Sequence, residues 1–360
     1  MNTQPEVEFR PLTAPASMDE PAADDFREFT RVRNAIYREI AGNDDDAYTP
    51  EELLPHYQPS DEEIRHAWTV IRDGHVIGRV GVDIPLEEGS KTAFWLVELL
   101  EAHWGLGIGS AGYALVEETA REYGRTVLQS WAQHPDQPGP RLEPPTGFGS
   151  IPEDHMARFY LRHGYALEQI ERESVLDLPA SEATVARLLA DAEAASAGYR
   201  VVQWQLPTPA EYAEGFAWMK SRMSTDTPMG ALEFDEETWD AERVALHDKR
   251  VLDGGRTMLV TAAQHIDSGE LVAFNELVIG GDARAASHQE DTLVLREHRG
   301  HRLGMLVKCA GLTTWRREIA PDSPRVITYN AEENRPMLDI NEAIGFTPKA
   351  YNGAWKKVLT

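Results

Sequence analysis

The sequence predicts an α/β layer fold built twice, each copy a central sheet flanked by helices. Three observations carry that prediction. Two long segments share one rhythm of strands and helices, both contain a glycine-bearing turn between a strand and a helix, and in both the helices lead back into further strands.

The repeat is explicit. Residues 75–84 (HVIGRVGVDI) read as a strand after the Asp73-Gly74 turn, and residues 270–279 (ELVAFNELVI) as a strand after Ser268-Gly269. A further strand and turn follow, VELLEAHWGLGIGSAGYALVEETARE in the first half and TLVLREHRGHRLGMLVKCAGLTTW in the second. Gly78 and Ala273, Trp104 and Arg299, and Gly109 and Gly304 match at one offset of 195. Further on, FYLRHGY (159–165) matches DINEAIGF (339–346) at an offset of 181. The surplus of the first half falls in QHPDQPGPRLEPPTGFGSIP (133–152), which reads as a long loop.

Between the halves, SEATVARLLADAEAASAG (181–198) reads as a connecting helix opened by a Ser181 cap and closed by Gly198. The expected domains are therefore 1–180 and 199–360, with 181–198 as linker. In the second half strands are expected at 199–206, 257–266, 270–279, 288–295, 325–331 and 346–358. Helices are expected at 209–224, 235–252, 304–319 and 334–344.

Composition narrows the function. The chain has 360 residues, 42% of them hydrophobic, enough for packed cores. A formal net charge of -25 argues against nucleic acid and against anionic membranes, and it favours a cationic substrate such as an amine. No apolar run approaches the ~20 residues that span a bilayer. The start MNTQPEVEFRPL has neither the basic nor the apolar region of a secretory signal, and a single cysteine, Cys309, fits a reducing cytoplasm. No Cys/His cluster has metal-ligand spacing and no GxxxxGK[ST] is present, so neither a metal nor ATP is expected.

The turns carry the chemistry. A helix N-terminus offers unpaired N–H groups and partial positive charge, and glycines let the backbone approach an anion. WGLGIGS (104–110) has three alternating glycines; RGHRLGM (299–305) keeps two and adds Arg299, Arg302 and, one turn on, Lys308. Arg302 need not spoil binding, since its N–H can still point at phosphate if the residue keeps helical dihedrals.

With these turns and the later landmark, the chain resembles the GCN5-related N-acetyltransferases (GNAT). Their signature is Arg/Gln-x-x-Gly-x-Gly/Ala followed later by Tyr-x-x-x-Gly-Phe. It is similar to the tandem actinobacterial type, with mycothiol synthase as a distant relative, and the resemblance covers nearly the whole chain. It implies two tandem GNAT-like domains, each a mixed central sheet flanked by helices, with acetyl-CoA as cosubstrate. The first half departs at Trp104 in the signature position but keeps Gly107 and Gly109; in the second half Arg302 replaces the middle glycine.

The resemblance further implies a cofactor strip at Leu293, Val294, Leu295, Arg299, Gly300, His301, Arg302, Leu303 and Gly304, with Asn330, Asn334 and Asn341 near pantetheine. The family's base is often a carboxylate on the fourth strand. Glu290 and Asp291 stand there, facing opposite ways, against Trp95 and Leu96 in the first half, and Glu276 lies on the neighbouring strand. His288 and His298 are possible proton relays. The family's proton donor, a tyrosine, is Tyr160 in the first half but Asn341 in the second, where Tyr329 is a substitute. The stretch RMSTDTPMG (222–230) falls where these folds often cover the acceptor, though Ser224, Asp226 and Pro228 also read as turn and cap residues. Cys309, one turn into a helix, reads as a small buried hydrophobe.

On this reading the second half is catalytic and the first a degenerate copy that completes the cleft or supplies a dimer surface. The activity expected is acetyl transfer to the primary amine of a small molecule. A non-catalytic acyl-CoA sensor or scaffold, and acetylation of a protein or peptide N-terminus, stay open.

Overall fold

The computed structural model describes residues 7–21, 23–226, 228–234 and 237–359, the side chains of 224 and 225 excepted. The Ser224 side chain and the first two residues of the helix expected from 235 lie outside the described residues.

Along the chain run β1 (Val7–Pro11), α1 (Ala23–Ala41), α2 (Pro50–Leu53), β2 (Glu63–Arg72), β3 (His75–Pro85), β4 (Thr92–Leu99) and α3 (Ile108–Glu122). Next come β5 (Val127–His134), the short β6 (Arg141–Leu142) and β7 (Ile151–Pro152), α4 (His155–Arg162), β8 (Ala166–Asp177) and α5 (Leu178–Ala195). Then follow β9 (Tyr199–Gln205), α6 (Ala210–Asp226), α7 (Ala241–Asp253), β10 (Thr257–His265), β11 (Leu271–Ile279) and β12 (Ser287–Val294). The chain closes with α8 (Leu303–Thr314), β13 (Arg325–Ala331), α9 (Arg335–Ile344) and β14 (Thr347–Val358). The α/β class and the doubled mixed sheet agree with the sequence reading.

The chain divides into two compact units, one of Met1–Ile170, Met229–Asp235 and Tyr351–Thr360, the other of Glu171–Pro228 and Glu236–Ala350. They differ from the expected cut at 180 and 199 because the last strands change places. In the first unit Tyr351–Val358 pairs antiparallel with β5. In the second, Glu171–Asp177 pairs antiparallel with β13. The sixth strand of each unit's sheet is thus drawn from the other sequence repeat, and no local pattern announces such a pairing.

Within the first unit β1, β2, β3 and β4 are antiparallel neighbours and β4 runs parallel to β5. α3 buries Ile108, Tyr113, Val116 and Ala120 at helical spacing against this sheet. Trp95, Tyr113, Tyr160, Tyr165 and Trp355 form the aromatic part of that core. In the second unit β9, β10, β11 and β12 are antiparallel and β12 runs parallel to β13. Every residue of β11 is buried, the mark of a central strand covered on both faces. Phe216 and Val244 pack with Phe274 and Val278 in one cluster, and Cys309, Leu312 and Trp315 with Leu259 and Leu277 in another.

Local chemistry explains the boundaries that moved. α7 starts at Ala241 because Asp240 is extended and its side chain accepts from the Arg243 N–H. Asp177, not Ser181, caps α5, accepting from the Ala180 N–H, while Ser181 Oγ bonds back to the Leu178 carbonyl. α8 gives way at Trp315 to one wider turn ending at Ile319.

Candidate active sites

Both units split their sheet at the same place. β4 and β5 are in register only from Thr92–Val127 to Phe94–Gln129, and β12 and β13 only from Ser287–Val326 to Gln289–Thr328. Beyond those points the parallel strands are no longer paired in register with each other.

The turn after each parted strand has one backbone in two sequences. Gly105 and Gly107 have φ of 72° and 80°; Gly300 and Arg302 have 89° and 56°. Arg302 is thus left-handed rather than helical, at a cost of roughly 1 kcal/mol relative to glycine. The condition of helical dihedrals is not met: the turn has positive φ at this position in both copies. Neither α3 nor α8 has a side-chain cap, so the first-turn N–H groups are free to meet an anion. Arg299 Nε donates to the Val294 carbonyl at 3.2 Å, and Trp104 Nε1 donates to the equivalent Leu99 carbonyl at 2.8 Å. Trp104 therefore retains the tie between turn and strand, and its ring lies flat on His155 at 4.8 Å.

The rest of the second unit's strip is placed as follows. Leu293 and Leu303 are core residues, and the Leu295 N–H donates to Val272. The His301 carbonyl accepts from Ser196 Oγ, tying the end of α5 to the turn. A Cβ on Gly304 would lie 3.0 Å from Ile340 Cδ1, so a side chain there would make the Ile340 side chain give way.

The carboxylates singled out from sequence are held by partners. Lys220, on α6, reaches Glu276 at 3.2 and 3.3 Å and Asp291 at 2.7 Å. Burial works against the ammonium, but Asp291 and Glu276 outweigh it and raise its pKa. Burial raises the Glu276 pKa despite Lys220, because Asp291 adds a second negative charge. Glu290 faces Arg256 at 3.6 Å. Asp226 is buried between Arg222 at 3.0 Å and Arg296 at 3.3 Å, and Pro228 is exposed. His288 is half-buried on β12, and His298 Nδ1 bonds the Tyr199 hydroxyl.

At the tyrosine positions the copies diverge. Tyr160 is buried, bonds Ser130 Oγ at 2.8 Å and stacks face to face on Trp355 at 4.8 Å; burial raises its pKa. Asn341 instead donates to Asn330 Oδ1 at 2.7 Å and accepts from Lys308 Nζ at 2.8 Å. Lys308 is fully buried, which lowers its pKa to about 7. Tyr329 is exposed on β13, and Asn334 opens α9 without a side-chain cap. Cys309 is buried against Met305, which pushes its thiol up to about 12 and leaves no thiolate for chemistry.

The first unit holds a cavity of about 300 Å³ beside its parted strands, walled in part by Tyr48, Tyr57, Phe94, Trp95 and Trp131. Three arginines also face it. Arg65 is paired with Asp83 and Glu63, and Arg79 with Glu98 at 2.7 Å. Arg33 lies over the rings of Tyr37 and Tyr48 at 4.0 and 4.6 Å and donates to Asn34 Oδ1 and the Asp46 carbonyl. None of these residues was singled out from the sequence. One signal was available: Arg33 sits on the buried face of α1 with Phe26, Phe29, Val32 and Ile36, where a charge is unusual. Among the described residues no group of His, Cys, Asp and Glu could hold a metal ion, and no helix is long and apolar enough to cross a membrane.

Residues 30–139 match the Acetyltransferase (GNAT) family. The parted strands and left-handed turn present in both units give the whole chain the arrangement of a tandem GNAT fold, and the match over residues 30–139 supports an N-acetyltransferase. Among solved structures it is similar to a tandem GNAT protein from the clavulanic acid biosynthesis pathway, with 26% identity, 98% of each chain covered and a TM-score of 0.75. A GCN5-related N-acetyltransferase from Sphaerobacter thermophilus shares the fold at 16% identity, covering 98% of this chain and 95% of its own, with a TM-score of 0.62. The glucosamine N-acetyltransferase region of a fungal multi-domain β-N-acetylglucosaminidase shares it at 13% identity, covering 99% and 38%, with a TM-score of 0.59. No curated protein matches the sequence.

Proposed function

We propose that the chain moves an acetyl group from acetyl-CoA to the primary amine of a small molecule, by direct attack in a ternary complex, and that the first copy carries the reaction. The observation behind this is the cavity beside the parted strands of the first unit. Gly81 and Leu96 line it, and their counterparts at the offset of 195, Glu276 and Asp291, are bound by Lys220 in the second unit. The sequence alone favours the second half on its arginine and carboxylates. Those carboxylates now have a resident cation, and a cavity lies beside the parted strands of the first copy.

In the first copy, main-chain N–H groups at the start of α3 receive the diphosphate. The thioester oxygen accepts from β4 main chain beyond Phe94, where β5 no longer pairs. The amine nitrogen attacks the carbonyl carbon; a C–N bond forms and the C–S bond breaks. The nitrogen's proton leaves, directly or through water, to His66 or His56 on the cavity wall. The thiolate takes a proton from the Tyr160 hydroxyl, which its raised pKa keeps protonated at neutral pH. Solvent restores both groups.

Thiol release from acetyl-CoA over a panel of primary amines tests the reading. Tyr160→Phe is expected to lower kcat about a hundredfold with little change in KM for acetyl-CoA. No turnover above hydrolysis on any amine would sink the proposal.

A further inference from the structure

The two copies place a buried cation at the same point of their folds and neutralise it differently. The register that aligns Phe29 on α1 with Phe216 on α6 aligns Arg33 with Lys220. Lys220 is answered by two carboxylates of its own chain, Glu276 and Asp291. The corresponding first-copy residues, Gly81 and Leu96, carry no charge. A cavity lies there instead, and Arg33, 5% exposed, lines it. Among the described residues no carboxylate pairs with Arg33; its contacts are two aromatic faces and two neutral oxygens. A guanidinium offers five donors, and a buried one is normally paired.

We infer that the first-copy cavity takes a ligand that brings its own carboxylate to Arg33. This rests on the reading that the first copy acetylates an amine, and it names the acceptor class: a small amino acid, carrying the reacting amine and a carboxylate together. The aromatic wall suits a substituent that is apolar or aromatic. A cavity volume of about 300 Å³ leaves room for a small amino acid. A zwitterion also suits a chain of net charge -25, because it has no net charge for the long-range field to repel.

The test uses matched probes on the full-length protein: phenylalanine with phenethylamine, and leucine with isopentylamine. Acetylation is followed by thiol release, and binding by the thermal shift each probe causes without acetyl-CoA. The acid of each pair is expected to have the higher kcat/KM, by roughly tenfold to hundredfold, the span of one charge-assisted contact. In Arg33→Gln that preference should collapse, and Arg33→Lys, which keeps the charge, should restore part of it. If Arg33→Gln does not fold, the wild-type preference and the shifts caused by phenylalanine and phenylalaninamide decide alone. A wild type that acetylates the decarboxylated amines as well as the acids, or shifts equally with acid and amide, overturns this inference and leaves the acetyltransferase reading standing. A protein that shifts with the acids but acetylates nothing keeps the carboxylate site and loses the acyl-transfer reading.

Discussion

Removing the second unit's buried ammonium should destabilise that unit far more than a surface change would. Lys220 stands about 3 Å from carboxylate oxygens of both Glu276 and Asp291. At an effective dielectric of about 20, two unit charges about 3 Å apart attract by about 5 kcal/mol. Desolvation offsets much of that while the group is intact. In Lys220→Met, however, the buried Glu276 carboxylate and the part-exposed Asp291 are left facing each other without a cation. The expected loss is about 3–5 kcal/mol. The loss should also depend on pH. Glu276 already has a raised pKa in the fold, and losing Lys220 raises it further. The folded state then binds a proton that the unfolded chain releases, so stability is greater at low pH and falls as pH rises through the folded value. Urea denaturation of wild type and Lys220→Met at pH 5 and pH 8 reads both effects. Adding Glu276→Met to the variant should recover most of the loss at pH 8, since an apolar replacement removes the orphaned charge. A single variant within about 1 kcal/mol of wild type at pH 8, with no pH dependence, would refute the account of this network.

Two further outcomes follow from the buried groups and the turns. The Lys308 pKa is lowered by burial to about 7 from an ordinary 10.5, so between those values the unfolded chain binds more protons and stability rises with pH. Lys308→Met should flatten that rise; equal slopes for the two proteins between pH 7 and pH 9.5 would contradict the assignment. Trp104→Ala removes the tie to the Leu99 carbonyl and should weaken acetyl-CoA in turnover about tenfold in KM, while Arg299→Ala should do little. The reverse ranking in steady-state kinetics would move the reaction to the second copy.

Much of the fold was legible because it follows short-range rules. Alternating and helical periodicities located β9 to β14 to within one or two residues, and the glycine turns exposed the repeat. What stayed hidden depends on distant partners. Glu276 and Asp291 stand out in the sequence as carboxylates on neighbouring strands, but Lys220 lies 56 positions before Glu276, and nothing local says that it will sit between them. Tyr160 was legible as a donor position, while its Ser130 and Trp355 partners come from β5 and from the far end of the chain. The left-handed backbone at Arg302 was not legible either, because a residue other than glycine gives no local sign of positive φ.

The comparison of the two copies constrains their roles more than either does alone. Both have the parted parallel strands, the two left-handed turn positions and an uncapped helix, features suited to an acyl donor. They differ in what surrounds the place for an acceptor. The second copy commits Lys220, Glu276 and Asp291 to one another, and removing the ammonium alone would cost the several kcal/mol worked out above. The first copy has Gly81 and Leu96 at those positions. A Cβ on Gly81 would lie 3.2 Å from Leu96, so even alanine would press on the cavity wall. An arginine buried without a carboxylate partner suits a site that receives an acid. On the function proposed above, the asymmetry supports acceptor recognition by the first copy, while the second copy carries a buried ion pair at the matching positions.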